Sequence, residues 1–264
     1  MEYSGVDTHG QVSYKSPEEL WKSVKGQEKN SWYKPAVEYW DQQPASYDGV
    51  LAGLGHLSGD DIVDSRKFLR KVFRRQLEEA EAGKRKLTVA DCGAGVGRVT
   101  EQLLLHHFAT VDLIEPSQHL MGTAKENLST PGRGEHPKGH KAGEFFNMGL
   151  QAWTPEAGRY DVIWMQWALL YLTDEDLLQL LERCKAGLKE DGLVIIKENV
   201  CERGFVVDPE DSSLTRSDAY FLDLLKRSGY TVTGTALQRN FPKGLFKVRM
   251  YAAKAKPLEV SNRP

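Results

Sequence analysis

The chain has 264 residues, of which 40% are hydrophobic and 27% charged, and its formal net charge is −2. This composition supports a sizeable buried core and argues against attachment to nucleic acid through bulk positive charge. Three scattered cysteines are too few for a disulfide framework or a zinc site, so we expect no metal. No apolar run is long enough for a membrane span or a signal peptide. We therefore expect a cytoplasmic location, with the nucleus as the alternative, and neither a membrane nor a direct nucleic-acid partner.

The N-terminal third of the chain predicts a tail followed by helices. Residues 1–30 are polar and predict a flexible tail, although Pro17 suits the first turn of a short helix. Glycines in residues 49–58 predict a bent loop, after which apolar residues recur at helical spacing from Ile62 to Leu77 and Gly83 closes the helix. We therefore expect a helical extension over residues 31–83, at the start of one domain that covers residues 31–264.

From Leu87 onward, short apolar runs alternate with helical patterns. The runs predict strands at 87–90, 111–114, 144–148, 160–165, 193–197, 230–237 and 245–253, and the patterns predict helices at 98–107, 117–128, 173–188 and 217–227. The last two strands have no helix between them, which predicts a hairpin with an antiparallel final strand. The predicted fold class is therefore α/β, a Rossmann-like seven-stranded doubly wound sheet with an N-terminal helical cap. Residues 129–143 are expected to form a flexible loop.

A glycine loop, "DCGAGVGR" at residues 91–98, follows the first of these strands and opens a helix. Its G-x-G-x-G spacing differs from the G-x-G-x-x-G of dinucleotide sites, and Asp91 disfavours a pyrophosphate. A cofactor with an amine, a carboxylate and no phosphate fits better, because Asp91 can help to hold its amino-acid end, directly or through water, and Arg98 can meet the carboxylate. The loop therefore predicts S-adenosylmethionine.

Further cofactor contacts are expected where the next strands end. Glu115 ends the second strand of the sheet a little over ~20 residues after the loop, where an acid can accept hydrogen bonds from both ribose hydroxyls. Gln166 ends the fourth strand at the carboxyl edge, where ligands bind in open α/β sheets. The complete set of predicted cofactor-binding residues is Gly93, Arg98, Glu115, Pro116, Ser117, Leu150, Gln151 and Gln166.

Several segments resemble the alpha-N-terminal protein methyltransferases, which act on X-Pro-Lys/Arg N-termini. The resemblance is carried by "DGVLAGLGHLS" (48–58), "SRKFL" (65–69), "DCGAGVGRVT" (91–100), "GLQ" (149–151), "YDVIWMQWALLYLTD" (160–174) and "IKENVCERGFVVDPEDSS" (196–213). The glycine loop is common to many methyltransferases, whereas the loop at 48–58, the W-x-Q-W stretch and the Asp-rich segment are far more specific. The resemblance implies protein substrates with such N-termini, ribosomal proteins among them.

The resemblance also implies a substrate site. Its predicted catalytic residues are Asp211, Asp208 and Asn199, and its predicted substrate-binding residues are Trp40, Leu57, Trp167, Tyr171 and Ser213. Two positions depart from the family pattern: Tyr171 stands where a histidine is frequent, and Phe246 where a tyrosine is frequent. A tyrosine with a pKa of about 10 is a poor base at neutral pH.

Methyl transfer to nitrogen needs a neutral amine. An α-amino group has a pKa of roughly 7.7–8.0, so a usable neutral fraction exists near pH 7. Asp208 and Asp211 can attract a cationic N-terminus and accept its proton, although "DPEDSS" is also ordinary turn chemistry. Core packing beside Trp164 is an equal alternative for Trp167. Two other functions remain open at this point: a small-molecule amine N-methyltransferase, and a non-catalytic binding protein with the same fold.

Overall fold

A seven-stranded sheet forms the centre of the protein. The computed structural model describes residues 3–25, 32–130 and 134–256. The strands of this sheet are β3 (Thr88–Cys92), β4 (Thr110–Ile114), β5 (Lys141–Phe146), β6 (Tyr160–Gln166), β7 (Leu188–Val200), β10 (Tyr230–Leu237) and β11 (Lys247–Ala255). Their order is β10-β11-β7-β6-β3-β4-β5. The five strands from β7 to β5 are parallel, whereas β11 is antiparallel to both of its neighbours. The predicted α/β fold and its terminal hairpin are confirmed.

Helices cover both faces of this sheet. They are α1 (Pro17–Lys25), α2 (Tyr33–Asp41), α3 (Ser58–Val72), α4 (Arg74–Glu81), α5 (Arg98–Gln102), α6 (Gln118–Ser129), α7 (Asp174–Gly187) and α8 (Asp218–Arg227), with short 3-10 turns at Gly49–Leu51, Gly55–Leu57, Leu104–His106 and Leu169–Tyr171. One apolar core lies between the sheet and α7 and α8, and the other between the sheet and α3, α4 and α6. Every residue of β6 is buried, as a central parallel strand requires. None of the described helices is long and apolar enough to cross a membrane.

A second, four-stranded sheet was not predicted. It consists of β1 (Gly5–Asp7), β2 (Ser13–Tyr14), β8 (Phe205–Asp208) and β9 (Ser213–Arg216), in the order β2-β1-β8-β9. The Asp-rich segment, expected as a loop, is therefore a β-hairpin whose turn lies between Asp208 and Ser213. Alternation of buried and half-buried residues in "FVVD" indicates this strand, but the turn residues beside it hide the signal.

The first residues of the chain also differ from the flexible tail expected for residues 1–30. Within the described part of that segment, β1 pairs with β8, and Tyr3 and Leu20 are buried in the core. Hydrogen bonds to a partner strand order this polar segment, and sequence patterns do not report such a partner. The expectation for residues 26–30 lies outside the described residues.

Smaller differences concern where elements end. The helix predicted to run to Gly83 breaks at Phe73 into α3 and α4, and the helix predicted at 98–107 becomes α5 and a 3-10 turn. Strand β5 begins at Lys141, inside the segment expected to be a loop, because it pairs with β4 from Thr110 onward.

Candidate active site

One cavity of about 420 Å³ lies at the carboxyl ends of β3, β4, β6 and β7. All the residues predicted for the site line it. They are Trp40, Leu57, Gly93, Arg98, Glu115, Pro116, Ser117, Leu150, Gln151, Gln166, Trp167, Tyr171, Asn199, Asp208, Asp211 and Ser213. Ligands of open α/β sheets bind at this edge. The structure therefore brings the predicted cofactor and substrate residues into one space, and their individual roles remain predictions.

The glycine loop and Glu115 form one wall of the cavity. Gly93, Gly95 and Gly97 have φ angles of 75°, 54° and 80°, which side chains with a Cβ rarely adopt. The amide of Gly95 donates to Glu115 Oε2 and that of Ser117 to Oε1, both at 2.9 Å. Because each carboxylate oxygen has two lone pairs, both oxygens keep the capacity to accept a hydroxyl. Two adjacent ribose hydroxyls match this pair of acceptors.

Burial raises the pKa of Glu115 to about 7, against the opposing effect of its two backbone hydrogen bonds. Asp91 is different, because it does not line the cavity. Its carboxylate accepts a hydrogen bond from Thr100 Oγ1 at 2.6 Å inside the protein, and burial raises its pKa to about 6. The expected direct role of Asp91 in holding the amine of the cofactor is thus not supported; it fixes the start of α5 instead.

Arg98 is held by a buried network that sequence reasoning missed. Its Nη1 lies 2.8 Å from Asp61 Oδ2 and 3.1 Å from Ser58 Oγ. Gln166 Nε2 donates to both oxygens of Asp61, at 2.9 and 3.0 Å, and Lys197 Nζ forms an ion pair with Oδ1 of the same carboxylate. Asp61 therefore joins α3 to two of the predicted cofactor-binding side chains.

This network places two cations, Arg98 and Lys197, on the single carboxylate of Asp61. Burial alone would raise the pKa of Asp61, but the charges of Lys197 and Arg98 outweigh it and lower that pKa. Asp61 falls at helical spacing with Ser65 and Phe68, which places it on the buried face of α3. A charged residue on an apolar helix face was the signal that could have revealed it. Lys197, in the buried run "VIIKEN", was a second.

The loop after β5 supplies Leu150 and Gln151. Arg183 of α7 donates from Nη2 to the carbonyl oxygens of Leu150, at 2.9 Å, and Gln151, at 3.1 Å. Its Nε donates to the carbonyl oxygen of Trp153 at 2.8 Å. The guanidinium therefore fixes the backbone that presents an apolar and an amide side chain to the cavity, which suits a planar heterocycle such as adenine.

A hydrogen-bonded chain crosses the other half of the cavity. Trp40 Nε1 donates to Tyr171 Oη at 2.8 Å, and that hydroxyl donates to Asp211 Oδ2 at 3.2 Å. Burial raises the pKa of Tyr171 well above its usual value, and the charge of Asp211 adds to this effect. Tyr171 is therefore a hydrogen-bond donor to Asp211 and not a base.

The two hairpin acids differ in their surroundings. Asp208 accepts a hydrogen bond from the amide of Glu210 at 3.0 Å, and Asp211 from the amide of Ser213 at 3.0 Å. These are the turn contacts that the sequence allowed, yet both acids also line the cavity. Burial, reinforced by the charge of Asp208, raises the pKa of Asp211. The raised pKa makes Asp211 more basic than an ordinary aspartate.

Trp167 belongs to the cavity, whereas Trp164 belongs to the core. Trp164 is fully buried and donates to Gln166 Oε1 at 3.1 Å. Trp167 has a φ of 51°, in the left-handed region, and its Nε1 lies 3.2 Å from Asn199 Oδ1. Strained backbone of this kind concentrates at functional sites. The alternative of core packing for Trp167 is therefore wrong.

Buried Glu198 anchors the turn that carries Trp167 and Tyr171. Its Oε1 accepts hydrogen bonds from the amides of Ala168, at 2.8 Å, and Leu169, at 2.7 Å. Burial raises its pKa to about 8, so this carboxyl group is mostly protonated at neutral pH. Within the described residues its Oε2 has no hydrogen-bond partner, which is consistent with a proton at that atom.

These features fit S-adenosylmethionine. Glu115 offers acceptors for a ribose, Arg98 a cation for a carboxylate, and the Leu150 and Gln151 pair a surface for adenine. The described residues contain no group of His, Cys, Asp and Glu arranged to hold a metal. The doubly wound sheet, together with these groups for the ribose, the carboxylate and the adenine, defines a SAM-dependent methyltransferase.

Comparison with known proteins places the chain more narrowly. Residues 28–254 match the family described as AdoMet dependent proline di-methyltransferase, and the chain belongs to this family. Alpha N-terminal protein methyltransferase 1 of Arabidopsis thaliana is 41% identical over 256 residues, which cover 96% of this chain and 91% of that protein. N-terminal Xaa-Pro-Lys N-methyltransferase 1-B of Xenopus laevis is 38% identical, over 86% of this chain and 96% of its own.

A solved structure supports the same assignment. A SAM-dependent methyltransferase of Leishmania major superposes with a TM-score of 0.83 at 37% identity, covering 96% of this chain and 97% of its own. The predicted resemblance, fold class and cofactor are therefore confirmed, and the chain is an enzyme with protein substrates.

Proposed function

We propose that this enzyme methylates the α-amino group of proteins that begin with X-Pro-Lys or X-Pro-Arg. The observation that carries the proposal is the position of Asp211, hydrogen-bonded to Tyr171, in the same cavity as Glu115 and Arg98. The names of the relatives from Arabidopsis and Xenopus support the same reaction class.

The chain's own residues account for the cofactor end of the site. Glu115 would bind the ribose hydroxyls of the cofactor, Arg98 its carboxylate, and Leu150 and Gln151 its adenine. S-adenosylmethionine, when bound there, supplies an electrophilic methyl group on a sulfonium. Asp61 keeps Arg98 in place through their ion pair, and Gln166 in turn holds the carboxylate of Asp61 by a hydrogen bond.

The peptide end of the site attracts a cation and removes a proton. The carboxylates of Asp208 and Asp211 attract the ammonium of the substrate N-terminus and the side chain of its third residue. Asp211 then accepts the proton of that ammonium, directly or through water, and leaves a neutral nitrogen lone pair. A carboxylate beside an ammonium also raises the amine's pKa, so binding and deprotonation oppose each other. The raised pKa of Asp211 reduces this conflict, because a more basic carboxylate is a better proton acceptor.

The aromatic residues restrict which N-terminus can enter. Trp40 and Trp167 lie on the cavity wall, where they clamp a small first side chain and the ring of a proline. Asn199 receives the indole N–H of Trp167 on Oδ1 and keeps its amide N–H groups for a peptide carbonyl. Positioning of this kind contributes much of the rate of a two-substrate transfer.

A labelling assay tests the proposal. The enzyme is incubated with tritiated S-adenosylmethionine and a Ser-Pro-Lys peptide, or the same peptide N-acetylated. We expect labelling of the free peptide alone; equal labelling of both would refute methylation of the α-amine. A panel of small primary and secondary amines in the same assay tests the small-molecule alternative, for which we expect no labelling above background.

We further propose ribosomal proteins with X-Pro-Lys/Arg N-termini as substrates, on the strength of the family resemblance, and a cytoplasmic site of action with the nucleus as a second compartment. Fractionation of cells that express the tagged enzyme, followed by N-terminal peptide mass spectrometry with and without the enzyme, tests both statements. Unchanged methylation of ribosomal N-termini would exclude them as substrates.

A further inference from the structure

The first strand of the chain borders the hairpin that carries the two cavity acids. β1 runs parallel to β8, with Gly5 opposite Phe205 and Asp7 opposite Val207. The amide of Phe205 donates to the carbonyl of Ser4 at 3.2 Å, and the amide of Thr8 donates to that of Val207 at 2.8 Å. β8 ends at Asp208. The backbone position of Asp208 is therefore set in part by β1.

The contact between these strands leaves no space at Gly5. A Cβ added to Gly5 would lie 2.2 Å from the ring of Phe205, which is itself only 1% exposed. Directly before the facing strand, Gly204 has a φ of 55°, and a Cβ there would lie 1.7 Å from the carbonyl oxygen of Ser4. The two backbones can approach each other only because both positions are glycine.

The N-terminal strand is also fixed at both of its ends. Tyr3 stacks on Tyr220 with ring centroids 4.2 Å apart and donates from Oη to the carbonyl of Ala219 at 3.1 Å. At the other end, the carboxylate of Asp7 accepts the amides of Gln11, at 2.7 Å, and Val12, at 3.1 Å. These contacts close the turn between β1 and β2. A hairpin such as β8–β9 is marginally stable as an isolated pair of strands, and β1 provides it with a third.

The turn after β1 reaches the cavity. Thr8 is exposed, lines the cavity and follows directly on the residue opposite Val207, so it lies beside Asp208 at the mouth. The residues matched by the family begin at 28, so the whole of this strand lies outside them.

We propose that the N-terminal strand pair, β1 and β2 with their connecting turn, is part of the peptide-binding site. β1 positions the acidic hairpin, and Thr8 is a specificity-determining residue that contacts the substrate where its chain leaves the cavity beside Asp208. This inference rests on the proposed function for the identity of the substrate. It assigns a substrate-binding role to a segment outside the residues that define the family.

The first test substitutes Gly5→Ala. The added methyl group collides with the ring of Phe205 and displaces β1 from β8. Overpacking of this kind destabilises the contact between the two strands. We expect the Kd and the KM of a C-terminally labelled Ser-Pro-Lys peptide to rise about tenfold. The affinity for S-adenosylhomocysteine stays within twofold of wild type, because the cofactor half does not contact β1. Gly122→Ala is the matched control, since a Cβ at Gly122 meets nothing within 4 Å; its kinetics stay unchanged.

The second test, Thr8→Lys, changes an exposed side chain and leaves the strand contacts intact. A lysine at the mouth repels a cation in the third position of the substrate, so the Kd of a Ser-Pro-Lys peptide rises about fivefold to tenfold. The Kd of a Ser-Pro-Gln peptide changes less. Equal changes for both peptides, or none, would overturn the role of Thr8.

Peptide binding and methyl transfer are measured separately, so that a failure of the proposed function can be told apart from a failure of the inference about β1. A wild-type enzyme that binds the peptide without methylating it refutes the proposed function, while the Kd ratio of Gly5→Ala to wild type still decides the role of β1. The inference would be overturned if Gly5→Ala bound the peptide as tightly as the wild type does. It would also be overturned if the variant lost affinity for S-adenosylhomocysteine to the same extent as for the peptide. An enzyme that neither binds nor methylates the peptide refutes both.

Discussion

The two halves of the cavity are built in different ways. In the proposed cofactor half, the side chains of Arg98, Glu115 and Gln166 are buried and already hydrogen-bonded to the protein. In the peptide half, defined by Trp40, Tyr171, Asp208 and Asp211, side chains are half-buried, and the acids come from an added hairpin.

This difference indicates how the enzyme divides its work. The cofactor half uses the carboxyl edge of a parallel sheet, which many methyltransferases share, and its geometry is fixed before any ligand arrives. The proposed peptide half uses elements added around that sheet, namely α2, the turn after β6 and the β8–β9 hairpin, together with the N-terminal strand pair that we propose to belong to it. Substitutions in the cofactor half should therefore change cofactor affinity or the stability of the protein. Substitutions in the peptide half should change the kinetics with the peptide substrate.

The largest effect is expected for Asp211→Asn. The amide cannot accept a proton at neutral pH, and a general base contributes typically 10²–10⁴-fold to a rate, so kcat should fall about 10²–10³-fold. The affinity for S-adenosylhomocysteine, measured by calorimetry, should remain within twofold of wild type. Glu210→Gln, an exposed neighbour outside the cavity, is the control. A loss of cofactor affinity in Asp211→Asn would contradict the separation of the two halves.

Removal of the buried carboxylate in Asp61→Ala should destabilise the protein as a whole. It leaves the charges of Arg98 and Lys197 without their shared partner, and breaking a buried ion pair costs about 3–5 kcal/mol in free energy of unfolding. Urea unfolding checks this value. Glu38→Ala, which removes an exposed pair with Lys34, should cost at most about 0.5 kcal/mol. Similar losses in the two variants would show that the Asp61 network does not hold the site together.

Cofactor affinity should depend on pH through Glu115. In the free protein, burial raises the pKa of this carboxyl to about 7, and only the ionised form accepts both ribose hydroxyls at full strength. The affinity for S-adenosylhomocysteine should therefore fall as the pH decreases through 7, by up to about tenfold per pH unit. Glu115→Gln should weaken binding near pH 8 and give a much flatter profile. A wild-type profile as flat as that of the variant would exclude ribose recognition by an ionised Glu115.

A smaller effect is expected for Tyr171→Phe. The variant loses the hydrogen bond to Asp211, worth about 1 kcal/mol, so kcat should fall about fivefold. The hydrogen bond from Tyr171 lowers the pKa of Asp211 against the larger effect of burial. Its loss should move the acid limb of the kcat–pH profile to higher pH. An unmoved acid limb would mean that Asp211 is not the group whose ionisation limits the rate.

The sequence predicted the central sheet and the cofactor half well for a physical reason. Buried parallel strands such as "VIWMQ" are continuous apolar runs, and a glycine loop between a strand and a helix is a local pattern. Gly93 and Glu115 lie at positions that such patterns fix. The peptide half was predicted through the family resemblance and not through periodicity, since "DPEDSS" by itself indicates only a turn.

What the sequence did not reveal depends on contacts between distant segments. The pairing of β1 with β8 joins residues about 200 positions apart, and the ion pair of Lys197 with Asp61 spans 136 positions. Strand propensity and helical spacing describe local neighbours, so they miss a short polar strand whose partner is remote. The charged residues Asp61 and Lys197 in apolar patterns were local signs of such a partner.

The most direct test of the central claim is the position of the added methyl groups in the product. Wild-type enzyme, S-adenosylmethionine and a Ser-Pro-Lys peptide are allowed to react, and the product is sequenced by tandem mass spectrometry. The fragment that contains only the first residue should carry all of the added mass in multiples of one methyl group, with the lysine fragment unchanged. Methyl groups on the lysine side chain would contradict the account.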